Sequence, residues 1–131
     1  MNTLSVGVDL VEIRRVRNML ERHGIRALRR LLTEQELAYC EQRSNVAQHV
    51  AGRLAAKEAT YKALQAVDGA TDVRWLHIEV ITNDGGRPTL DLHGPARVAA
   101  QRLRADDALV SISHSIDTAI AMVVLVGLPN D

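Results

Sequence analysis

Glu58 and Lys62 stand four residues apart, acid before base, within a helix-forming stretch at residues 50–67 (VAGRLAAKEATYKALQAV). At about 100° of winding per residue they are neighbours on one helical face. Val50, Leu54 and Tyr61, with Ala51, Ala55, Ala59 and Ala66, form a broad apolar stripe, and the charged pair falls inside it. Charges on the packing side of a helix cost desolvation free energy unless they meet a partner, an ion or a charged ligand. The alternative is a solvated pair contributing only about 0.2–0.5 kcal/mol. Among 16 basic residues the two lysines, Lys57 and Lys62, both lie in this stretch. Small alanines on either side of Glu58 leave room for a ligand to approach.

A second carboxylate, Asp9, closes an alternating segment in which Leu4, Val6, Val8 and Leu10 face one way and Ser5, Gly7 and Asp9 the other. Such alternation predicts a strand with its apolar side buried. Asp9 is then either a functional carboxylate at a strand end or the N-cap of the following helix. Near the C-terminus, Val110-Ser-Ile-Ser-His-Ser115 alternates apolar and hydroxyl residues and reaches His114. A strand-end histidine is either structural or functional, and Ser111 and Ser113 share a face toward ligand or water. No G-x-S-x-G turn accompanies these serines, which speaks against a serine hydrolase, and no P-loop or G-x-G-x-x-G segment occurs.

The elements that must position these groups follow from periodicity and punctuation. Residues 12–23 read as a helix with Ile13, Val16 and Leu20 as its seam and Gly24 as its stop. Its other side is basic: arginines 14, 15, 17, 22, 26, 29 and 30 face one acid, Glu21. That run is either a solvated face or a docking patch for an acidic partner. Thr33-Glu-Gln-Glu36 reads as a capping box opening a short second helix. A turn is expected at residues 69–72, a strand at 73–82, a hairpin at Asn83-Asp-Gly-Gly86 and a short strand after Pro88. Gly94-Pro95 opens a helix to about residue 103, and strands at 108–115 and 118–126 close the chain. This order predicts one α+β domain over residues 1–131, an antiparallel sheet packed with a long central helix and shorter helices.

Composition narrows the function classes. At 131 residues with 47% hydrophobic and 24% charged residues, the chain can bury a core without staples. Zero formal charge removes any global attraction for nucleic acid or membrane. With no Phe, one Trp and two Tyr, platforms for stacking bases are nearly absent. A lone Cys40 leaves no internal disulfide and no zinc cluster. Residues 1–10 lack a secretory pattern and the apolar run at 119–126 is too short to span a bilayer, so a cytoplasmic location is expected.

Three segments carry a family likeness when taken in order: Gly7-Val-Asp-Leu-Val-Glu-Ile13, Ala51-Gly-Arg-Leu-Ala-Ala-Lys-Glu-Ala59 with Lys62-Ala-Leu64, and Val110-Ser-Ile-Ser-His114. Together with Thr33-Glu-Gln-Glu-Leu37 and Gly86-Arg-Pro88, they resemble the holo-acyl-carrier-protein synthases, the short single-domain 4′-phosphopantetheinyl transferases. The resemblance implies transfer of 4′-phosphopantetheine from coenzyme A to a serine of an acidic apo acyl carrier protein, releasing adenosine 3′,5′-bisphosphate, for fatty acid or polyketide synthesis. It implies Mg²⁺ on Asp9 and Glu58, with Lys62 completing the catalytic set. Coenzyme A would lie on Arg53, Lys57, Lys62 and His114, and the carrier on Arg15, Met19 and Arg22. It leaves open whether Glu58 or a metal-bound water takes the serine proton. It also implies a homotrimer with active sites between subunits. Gln65 and Tyr61 depart from the family pattern, and the central helix is expected to run on toward Asp68. The competing reading is a non-catalytic carrier-binding domain, which would not need both carboxylates.

Overall fold

Val46–Leu64 form helix α3, nineteen residues buried on nearly every side. Its small and apolar residues lie on most of its faces and place it inside the protein, where it runs through two cores. Val50 and Leu54 of its N-terminal half pack with Ile13, Val16, Leu28, Leu32 and Leu37; Ala55, Ala59, Ala63 and Leu64 of its C-terminal half pack with Ile78, Val80, Ala121, Val123 and Leu125. The computed structural model describes residues 1–68 and 70–129. In chain order these form β1 (Asn2–Glu12), α1 (Ile13–His23), α2 (Glu34–Glu41), α3, β2 (Ile78–Thr82), β3 (Pro88–Leu92), α4 (Gly94–Arg102), β4 (Asp107–His114) and β5 (Thr118–Gly127). Short 3-10 turns occupy Ile25–Arg30, Ala70–Asp72 and Trp75–His77.

The α+β class and the order of elements are as expected, with four differences. The strands divide into two antiparallel sheets, β1-β5-β4 and β2-β3. β2 starts at Ile78 because the chain before it coils into the 3-10 turn at Trp75–His77. α3 starts four residues early, where Asn45 accepts a hydrogen bond from the Gln48 N–H at 3.2 Å. It also stops at Leu64 instead of running toward Asp68. Gln65 caps it, and the Gln65 side chain donates to the Ala70 carbonyl at 2.9 Å, folding the chain back so that Val67 and Ala70 enter the core. Of the turn expected at 69–72, Gly69 lies outside the described residues.

The fourth difference concerns β1. Its apolar side, Val6, Val8 and Leu10, is 49–61% exposed, whereas Ser5, Gly7 and Asp9 face α3. The Ser5 hydroxyl donates to the Ala63 carbonyl at 2.7 Å. A Cβ on Gly7 would collide with the Ala59 carbonyl oxygen, so only glycine lets strand and helix approach this closely. Alternation correctly predicted the strand but not which face the core would cover.

Candidate active site

Close contact between β1 and α3 brings the two motif acids to one place. Asp9 points from β1 toward the C-terminal half of α3, where Lys62 donates to Asp9 Oδ1 at 2.9 Å and to the Val8 carbonyl at 3.2 Å. Lys62 therefore pairs with Asp9 rather than with Glu58 on its own helix. Asp9 is not an N-cap: Glu12 occupies that position for α1 and makes no side-chain cap. Glu58 is half-buried, and its pKa is pushed up first by burial and then by the Asp9 charge, with Lys62 partly offsetting both. Like charges couple this way only when they share a neighbourhood.

Glu58 also lines a cavity of about 300 Å³ with Lys57, Tyr61, Thr71, Val73, Arg74, Trp75 and Ile78. Periodicity predicts a turn and a strand after α3, so local patterning does not reveal the cavity wall at 71–75. Only the return of the chain around Gln65 places it beside Glu58.

Arg53 and His114 lie elsewhere. They line a second cavity of about 180 Å³ with Tyr39, His49, Thr82, Gly86 and Pro88 among others. Five residues separate Arg53 from Glu58, which puts them roughly 140° apart around the helix axis. One ligand-sized site on this helix cannot take both from the same direction. Arg53 is 4% exposed, donates to the Thr82 hydroxyl and the His49 carbonyl, and leaves its buried Nε–H without a partner. Its guanidinium stacks on one face of Tyr39 with its carbon 4.1 Å from the ring centroid, and Arg43 stands 4.1 Å from the same ring. Burial, then the charges of Arg53, Arg43 and His114, push the His49 pKa down. This cavity is electropositive and has an unsatisfied donor, both suited to an anion. His49 and Tyr39 were not among the expected site residues. His49 lies one helical turn before Arg53, the spacing that would have pointed to it.

Lys57 corrects its assignment as a coenzyme ligand. Its side chain is fully buried, and Nζ contacts Glu36 Oε1 at 2.7 Å and donates to the carbonyls of Trp75 and Ile78. All three donors of an ammonium are thus used inside the protein. Burial pushes its pKa down and Glu36 pushes it back. Glu36 also closes the capping box with Thr33 and accepts the Val80 N–H at 2.9 Å. Lys57 holds the cavity wall at Trp75 and Ile78 against α2 and α3.

On α1, Arg15, Met19 and Arg22 come together with Asn18 and His23 around a shallow surface depression. Arg26 is drawn away into pairs with Glu34 at 2.9 Å and Glu41 at 3.6 Å.

Fold and site define an α+β protein with paired carboxylates beside a cavity and a separate basic, anion-suited pocket. A family model described as the 4′-phosphopantetheinyl transferase superfamily matches residues 5–121, and the chain belongs to that family. A holo-acyl-carrier-protein synthase of Alkalilimnicola ehrlichii is 46% identical over 123 residues, 93% of this chain and 95% of that protein. One from Koribacter versatilis is 39% identical over 93% of this chain and 97% of its own length. Among solved structures, the Bacillus anthracis synthase in complex with coenzyme A (3′,5′-ADP) superposes with a TM-score of 0.74 at 34% identity, covering 96% of this chain and 98% of its own. The Helicobacter pylori synthase in complex with coenzyme A gives 0.76 at 29% identity, over 92% of this chain and 99% of that one.

Proposed function

We propose that this chain is a single transferase domain over residues 1–131. It moves the 4′-phosphopantetheine of coenzyme A onto a serine hydroxyl of an acidic apo acyl carrier protein and releases adenosine 3′,5′-bisphosphate. The observation that carries this reading is the convergence of Asp9, Glu58 and Lys62 where β1 crosses α3.

The family implies Mg²⁺ at this place, and the residues fit it. Two carboxylates, one of them (Glu58) made harder to ionise by burial and by the other's charge, present only oxygen donors, as that ion requires alongside phosphate oxygens and water. When bound, Mg²⁺ would supply charge neutralisation at the pyrophosphate. Asp9 and Glu58 would hold it. Lys62, released from Asp9, would pair with a coenzyme phosphate, and Glu58 would be placed to accept the serine proton. The cavity beside Glu58 matches an elongated arm with both polar and apolar groups.

Arg53 and His114 would bind another phosphate of the coenzyme. Since they face away from Glu58 on one chain, the coenzyme would bridge the Glu58 side of one copy and the Arg53 side of another. A homotrimer of this kind finds its surface on the outer face of the larger sheet. There Val6 and Leu109 flank Val124, and Val8 and Leu10 lie beside Met122 and Ile120, much of it exposed and apolar. Arg15, Met19 and Arg22 would dock the acidic carrier. The cytoplasm is the proposed place of work; among the described residues no helix is long and apolar enough to cross a membrane.

Intact mass of an apo carrier protein incubated with this protein, coenzyme A and Mg²⁺ tests the reading. A gain of one phosphopantetheine, abolished by a chelator and restored by Mg²⁺, is expected. No gain with any apo carrier, or a rate indifferent to chelation, overturns it.

A further inference from the structure

Away from the β1–α3 crossing, the β2–β3 hairpin places Glu79 and Asp91 directly opposite each other in antiparallel register. Like charges so paired destabilise a ladder unless something positive lies between them. His93, at the junction of β3 and α4, brings Nε2 to 3.2 Å from Glu79 Oε1 and 3.6 Å from Asp91 Oδ2. One atom from each of the three lies within 4.8 Å of the others. An imidazole nitrogen carries at most one proton, so a hydrogen bond from Nε2 serves Glu79 and leaves Asp91 at the longer distance. A metal ion serves both. Around a tetrahedral ion with metal–ligand bonds near 2.0–2.1 Å, neighbouring donor atoms are about 3.3–3.4 Å apart, close to both separations observed.

The surroundings resemble those of a built site. The Thr33 hydroxyl donates to Glu79 Oε2 at 2.6 Å and fixes the carboxylate with its other oxygen toward His93, the outer-shell arrangement that orients metal ligands. The backbone N–H of His93 donates to the His77 carbonyl at 2.7 Å and fixes the chain there. Glu79 is mostly buried, with its side chain 12% exposed, while those of Asp91 and His93 are each 46% exposed. The open side faces water.

We propose that Glu79, Asp91 and His93 bind a divalent transition-metal ion of the Zn²⁺ and Co²⁺ class, with water completing its coordination. One imidazole and two carboxylates suit these ions better than Mg²⁺, which prefers oxygen alone. The ion ties β2, β3 and the start of α4 together and, through Thr33, reaches the first turn of α2. Its place is structural and separate from the transfer chemistry.

Co²⁺ titration of the full chain in saturating Mg²⁺, followed by visible absorption and equilibrium dialysis, tests this. One Co²⁺ per chain with ligand-field bands is expected, retained in Glu58→Gln and lost in both Asp91→Asn and His93→Gln. Zn²⁺ should raise the melting temperature of the parent and not of those two variants. Both substitutions are at half-exposed side chains, and melting curves without metal establish that each variant is folded. Equal Co²⁺ uptake by parent and variants overturns the site. Absence of uptake by the parent also overturns it.

Discussion

Glu58 carries a charge that the folded chain holds at a cost. Burial first and Asp9 second raise its pKa. A carboxyl raised in the folded state contributes stability below its unfolded pKa, and that contribution is lost as pH rises through the folded value. At neutral pH its ionisation therefore opposes folding. Glu58→Gln is expected to melt at or above the parent's temperature at neutral pH, the gap closing in acid below the ordinary carboxylate range. Transfer should fall by about 10²-fold or more if Glu58 takes the proton; melting curves across pH and carrier mass spectra read the two effects separately. Cys40 is shifted by the same cause: burial pushes its thiol up to about 11, so it should resist alkylation at neutral pH until the protein unfolds.

At the scale of elements, two contacts hold the site. The buried Lys57–Glu36 pair ties α3 to α2 and to the chain before β2. Removing one partner of a buried pair strands the other charge, so Lys57→Met should cost roughly 3–5 kcal/mol in chemical denaturation. Adding Glu36→Leu should recover part of that and not all, because Glu36 also caps α2 and accepts the Val80 N–H. The second contact is the crossing at Gly7. Gly7→Ala must push β1 off the Ala59 carbonyl, an overpacking expected to cost about 1–3 kcal/mol. It should also move Asp9 away from Glu58, so transfer should fall more than the loss of folded protein explains.

For the whole molecule, the exposed apolar face of β1-β5-β4 and the basic face of α1 make different demands. Met122→Glu places a charge in the middle of the apolar face and should turn the proposed trimer into monomers in light scattering, with loss of transfer. Reversing Arg15 and Arg22 to Glu should leave assembly and coenzyme binding intact while raising the KM for the carrier. The parent's KM for carrier should itself rise with ionic strength, since exposed charges act chiefly on encounter and are screened by salt.

Local chemistry was enough to establish α1 with its stop at Gly24, the Thr33–Glu36 capping box, the β2–β3 hairpin and the spacing of Glu58 and Lys62 on one helix face. Each depends on neighbours within a few residues. Tertiary structure alone decided that Lys62 pairs with Asp9, that Lys57 is consumed by Glu36, and that α3 ends where Gln65 folds the chain back. It also decided that β1 turns its polar side inward. Alternation fixes which residues share a face; which face is covered depends on the partner that arrives, and here a helix of small residues met a glycine.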